Sequence, residues 1–210
     1  MQTTELTALE TGSLAAEVVF GSIDGIFSVL GIIAAGATAG LEPLQIFATG
    51  LGGAAAGALS VFAAMYLSQT TEKKTRLLAA WENSRKVSTR RVRNGNSQIR
   101  EPTKKEHKMF HELLSRVHRR ALLSGLVTST TSTVASLALL LPLAVVSQFY
   151  APTQISLLIG LFLIALLGAF RGITLKQSAA KSAIKMVTLG VIIIIASRVL
   201  GQFVLTLLKG

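Results

Sequence analysis

E-V-V-F-G-S-I-D-G-I-F-S-V-L-G-I-I-A-A-G, from Glu17 to Gly36, is apolar over the length of a bilayer crossing, with Asp24 set inside it. A carboxylate is expensive to hold in lipid. An acid at that depth therefore points to a substrate, ion or proton site before it points to packing. Glu17 precedes Asp24 by seven residues, two helical turns, and so projects from nearly the same face. Two acids in line near one end of a membrane helix suggest a path for a cation.

Composition agrees with a membrane protein. Half of the residues are hydrophobic and the mean hydropathy is +0.58, yet the formal net charge is +11. A soluble domain of this size could not hide so much apolar surface. The charges are segregated: fifteen of the 21 Lys and Arg lie between Lys73 and Arg120, and no Asp or Glu follows Glu112. The absence of cysteine excludes disulfides, zinc ribbons and thiolate metal sites. No basic region followed by a short apolar run opens the chain, so a cleavable signal peptide is not expected.

Five segments reach spanning length: Val18–Ala39, Pro43–Leu67, Ala121–Val146, Ile155–Ile173 and Ala183–Leu207. The expected fold is an all-α integral membrane protein. Residues 1–67 form an N-terminal tail and two transmembrane helices, 68–120 a basic helical segment, and 121–210 three more transmembrane helices. Basic loops stay on the cytoplasmic side. That places the Lys73–Arg120 segment and the linker bearing Arg171, Lys176, Lys181 and Lys185 inside. The opposite linkers, Gly40–Glu42 and Gln148–Thr153, contain no Lys or Arg. The N-terminus is then cytoplasmic and the C-terminus lies across the membrane.

Small residues crowd the second span, including Gly53-x-x-x-Gly57, a spacing that lets helix backbones approach closely. Gly21, Gly25, Gly31 and Gly36 in the first span suggest that these two helices pack together, turning Asp24 toward Met65 and Tyr66. The third span carries T-S-T-T-S-T, Thr128 to Thr133, whose hydroxyls can satisfy backbone carbonyls, bond neighbouring helices or line a hydrated path. Pro142 is expected to break the hydrogen-bond ladder near the end of that helix. No nucleophile–base pair, phosphate-binding loop or metalloprotease spacing occurs, so an enzyme is not expected.

Within the basic segment, Lys104 to Arg120 reads as an amphipathic helix with Phe110, Leu113, Leu114 and Val117 on its apolar face. All three histidines, His107, His111 and His118, fall on one side of it. His107 and His111 are spaced to grip one metal ion, and Met109 and Glu112 are candidate further contacts. The surrounding positive charge instead favours a solvated or lipid-facing helix with incidental histidines. Val87 to Pro102, polar and punctuated by Asn-Gly and Pro, reads as a loop. Its arginines suit anionic lipid headgroups. Nucleic acid is not expected, because stacking aromatics are too few.

The run E-V-V-F-G-S-I-D-G-I-F-S-V-L-G, followed by G-A-L-S-V-F-A-A-M-Y-L-S (Gly57 to Ser68), resembles the vacuolar iron transporter family. So do L-L-L-P-L (Leu139 to Leu143), L-L-G-A-F-R-G (Leu166 to Gly172), T-L-G (Thr188 to Gly190) and R-V-L-G (Arg198 to Gly201). The resemblance implies a homodimer of five-helix protomers in a cell or vacuolar-type membrane. It implies movement of Fe²⁺ or Mn²⁺ out of the cytoplasm against protons, with the metal as cargo and no prosthetic group. It also makes Asp24 the metal ligand midway along the path, with Glu17 at the cytoplasmic mouth. Carboxylate oxygens and thioethers are suitable ligands for such ions.

Three departures from the family pattern stand out. Met65 occupies the glutamate position of the family's E-Y-x-S element. Val61 falls where a methionine is common a turn earlier. Arg198 lies inside the last span, roughly 20 Å along it at the helical rise, where it is expected to snorkel to the interface rather than pair with Glu42. The basic segment also lacks the glutamates of the family's metal-collecting domain. These features leave an alternative, a transporter-like scaffold or accessory subunit that has lost metal transport.

Overall fold

The computed structural model describes residues 2–93, 104–145, 151–174 and 176–209. Five α-helices account for nearly all of them: α1 (Gln2–Thr38), α2 (Pro43–Arg93), α3 (Lys104–Val145), α4 (Pro152–Thr174) and α5 (Ala179–Lys209). Each contains a stretch long and apolar enough to cross a membrane: Leu14–Thr38, Pro43–Arg76, Leu114–Val145, Pro152–Thr174 and Ala179–Leu207. The five expected spans are all present. Two of the helices run well past them, because α2 and α3 continue into the basic segment. Val87–Arg93 is accordingly helical where a loop was expected.

Local chemistry sets the short connections. α1 ends with Gly40 at φ 74, where the Leu41 N–H donates to Gly36 O at 3.0 Å and the Gly40 N–H to Ala37 O at 3.2 Å. This left-handed cap closes the last carbonyls, and glycine enters it without a Cβ penalty. α2 then starts at Pro43, whose missing N–H costs nothing in a first turn. Just before it, the Glu42 N–H donates to Gln45 Oε1 at 3.0 Å, one half of a capping box. α4 ends in the same type of cap, with Lys176 at φ 54 and the Gln177 N–H donating to Gly172 O at 2.8 Å.

The chain divides into two compact units, Met1–Val61 with Val127–Gly210, and Phe62–Leu126. In the first, α1 packs against α4 and α5. Ile26, Val29, Leu30, Ile33, Ile46, Leu139, Leu140, Leu143 and Ile164 are fully buried there. Lipid tails are as apolar as these side chains, so association depends on close van der Waals fit rather than on escape from water. The glycines provide that fit. Gly160 sits against Leu30 and Leu139, Gly168 against Ala183 and Met186, and Gly50 against Leu140.

The expected α1–α2 glycine seam is only partly present. A Cβ on Gly36 would meet Ile46 of α2 at 2.9 Å, and one on Gly53 would meet Ile32 of α1 at 2.6 Å. Gly57, by contrast, has nothing within 4 Å. Gly31 faces Ser197 of α5, while Gly21 and Gly25 face α3. A helix buried among several neighbours distributes its small residues around its circumference, and spacing along one strand of sequence does not say which neighbour each one meets.

In the second unit, the Phe62 and Tyr66 rings stack at 6.3 Å between centroids, and Tyr66 meets the His118 ring edge-on at the same separation. Gln69 of α2 hydrogen-bonds the buried Ser124 of α3. Gly125 gives Phe62 room, since a Cβ there would lie 2.9 Å from the ring.

Candidate functional site

Asp24 and Glu17 both lie on the flank of α1 that carries Gly21 and Gly25, within an arc of about 100° at helical spacing. Glu17 is buried at 7% exposure, and Asp24 is partly buried. Against this flank runs α3. A Cβ on Gly21 would overlap the Thr128 carbonyl oxygen, and one on Gly25 would overlap that of Ser132. Four residues on along α1 correspond to four residues on along α3, so the two helices run parallel at this crossing. Backbone oxygens cannot swing aside as a side chain can, so only glycine fits at either position.

The close approach brings α3 hydroxyls to the acid. The Ser132 hydroxyl donates to the Asp24 carboxylate. One turn on, Ser136 Oγ donates to the Gly25 carbonyl at 3.2 Å. Thr128, Ser132 and Ser136 recur every four residues and are all at most 3% exposed, forming one buried edge of α3. Two other hydroxyls of the cluster bond their own helix. Thr131 donates to Val127 O at 2.9 Å and Thr133 to Ser129 O at 2.9 Å, bonds that satisfy the hydroxyl locally. The cluster is therefore not uniform: Thr128 and Ser132 lie on the buried edge, Thr131 bonds its own helix while its hydroxyl also lies against Gly21 of α1, and Thr133 bonds its own helix.

The remaining candidates fall elsewhere. Met65 is partly exposed and belongs to the second unit, with Tyr66 beside it. The partner that the structure gives Asp24 is Ser132 of α3. His118 is exposed, with Nδ1 3.0 Å from Leu114 O and its ring against Tyr66. Glu112 is exposed, and the side chains of His107, Met109 and His111 lie outside the described residues. Among the described residues, no group of three His, Asp or Glu side chains is placed to hold a metal ion. Arg198 is exposed on α5, and among the described residues the ion pair is that of Arg76 with Glu72, so Arg198 does not pair with Glu42.

The model of the VIT family matches residues 15–101 and, overlapping them, 76–202. The chain belongs to the vacuolar iron transporter (VIT) family. No curated protein matches it. VIT membership makes this a multi-pass membrane protein of a metal-ion transport family, whose members are transporters rather than enzymes.

Within this VIT chain, Ser132 and Ser136 are the site residues that sequence reasoning did not single out. A signal for them was present. Gly21-x-x-x-Gly25 brackets Asp24 with the same small-residue spacing as Gly53-x-x-x-Gly57, and Thr128, Ser132 and Ser136 repeat at four-residue intervals. Two such rows, one on each helix, are what a close crossing requires.

Proposed function

We propose that this chain exports Fe²⁺ or Mn²⁺ from the cytoplasm in exchange for protons, acting as a homodimer with the basic segment and N-terminus on the cytoplasmic side. The observation that carries the reading is Asp24, hydrogen-bonded to Ser132 at a glycine-tight crossing of α1 and α3, with Glu17 buried two turns before it. A carboxylate held away from water needs a partner, and either a proton or a metal ion meets that need. Alternate occupancy by the two at Asp24 is an exchange mechanism. Glu17 receives the ion at the mouth of the path. Fe²⁺ and Mn²⁺ accept carboxylate oxygens, which suits both acids.

The test is Fe²⁺ and Mn²⁺ flux into proteoliposomes containing an internal pH probe, native chain against Asp24→Asn. The expected result is metal uptake coupled to proton movement, lost on substitution while the protein stays folded. Absence of flux from well-folded native protein, with or without a pH gradient, would overturn the proposal. It would leave a scaffold that has given up transport, a reading that the methionine at position 65 favours.

A further inference from the structure

Transport chemistry at Asp24 leaves the charge of the second unit without a role. Lys73, Lys74 and Arg76 of α2 and Arg116, Arg119 and Arg120 of α3 are six cations on two helices. Phe62 meets Gly125 while Tyr66 meets His118, so the helices run antiparallel here. The Gln69–Ser124 hydrogen bond ties them together. One turn beyond that tie on α2 lies Lys73, and one turn before it on α3 lies Arg120. Arg76 and Arg116 follow at the next level. Two basic rows thus descend side by side from a single fixed point.

Most of these cations are exposed. Glu72 holds Arg76 at 2.7 Å, and among the described residues that is the ion pair present. Lys74, Arg116, Arg119 and Arg120 are exposed. The rows stand toward the ends of the stretches Pro43–Arg76 and Leu114–Val145, which are long and apolar enough to cross a membrane. Headgroups are met where such a helix leaves the hydrocarbon. Just inside them, Leu67, Leu122 and Leu123 are exposed at 61%, 42% and 50%. Those leucines lie within the membrane-crossing stretches, so an anion anchored in the same lipid is the one held next to the cations. A phospholipid matches both, with its phosphate on the basic rows and its acyl chains on the leucines.

We infer that Lys73, Lys74, Arg116, Arg119 and Arg120, with Leu67, Leu122 and Leu123 beside them, form a binding surface for anionic phospholipid. This surface is independent of whether Asp24 carries a metal ion. Trp81, the single tryptophan of the chain, lies on α2 just beyond Arg76 and serves as a reporter. The full chain is reconstituted into mixed phosphatidylcholine–phosphatidylglycerol vesicles, with bromine placed on the acyl chains of one lipid or the other.

At low salt, brominated phosphatidylglycerol should quench Trp81 about twofold more than brominated phosphatidylcholine at equal content, and high salt should remove the difference. Changing Lys73, Lys74, Arg116, Arg119 and Arg120 to Gln should abolish the preference. Changing Arg85, Arg90, Arg91, Arg93 and Arg100 to Gln should leave it. Equal quenching by both lipids in the native chain overturns the inference, and that arm needs no variant to fold. Loss of preference only in the second variant overturns it in favour of a diffuse polybasic tail. Its abolition by inorganic phosphate at matched ionic strength overturns it in favour of a free-anion site.

Discussion

The two units are held together by opposite means. In the first, α1 and α3 meet through Gly21, Gly25, Thr128, Ser132 and Ser136, small groups that bring backbones and hydroxyls into contact. In the second, long side chains make the contacts: stacked Phe62 and Tyr66, the edge of His118, and the reach of Gln69 to Ser124. Lipid gives no hydrophobic reward for pressing two apolar helices together, so a spanning pair gains most by minimising distance. The second pair instead gains its contact area from aromatic bulk, which spans a wider gap between helices. The candidate ion site lies where distance is smallest, because a hydroxyl on one helix reaches a carboxylate on the next only across a glycine.

This contrast is most easily broken at Gly25. Gly25→Leu should cost at least about 3 kcal/mol, since the added carbons meet a carbonyl that cannot move aside. Loss of monodisperse, helical protein in detergent is the expected readout. Gly57→Ala, at the more conspicuous motif of α2, should change thermal stability by less than about 0.5 kcal/mol, because open space receives the methyl. Equal damage from both would show that spacing, and not the α3 backbone, makes glycine necessary.

Next in size is Gln69→Ala in the second unit, which removes the partner that Gln69 provides to buried Ser124. A loss of about 1 kcal/mol is expected, read as faster amide exchange in residues 62–79 and 114–126 with the first unit unaffected. Ser132→Ala tests the oxygen contact of the first unit. Intramembrane hydrogen bonds average about 0.6 kcal/mol, so half-maximal uptake should need roughly three times more metal. Ser132→Thr, which keeps the hydroxyl, should restore it, and an unchanged metal requirement in the alanine variant would remove Ser132 from the site. Glu72→Gln should do least. Its pairing with Arg76 is solvent-exposed on both sides, and thermal unfolding should move by no more than the equivalent of about 0.5 kcal/mol.

Hydropathy alone located the five spans, because a run of apolar residues long enough for a bilayer needs no knowledge of its neighbours. It also located Asp24 and Glu17, since an acid in such a run is conspicuous wherever it lies. The extent of α2 and α3 was less legible. Arg90, Arg91 and Arg93 are good helix formers, and they continue α2 through a stretch whose polarity read as a loop.

What Asp24 faces was decided only by tertiary structure. Gly21, Gly25, Gly31 and Gly36 look alike in sequence, yet they meet α3, α3, α5 and α2 in turn. Thr128 to Thr133 form one polar run, yet only part of that run turns toward α1. Residue type and spacing determine what a helix can offer on each side. The partner on each side depends on how five helices share one core, and for this chain that packing set Ser132 beside the only aspartate it has.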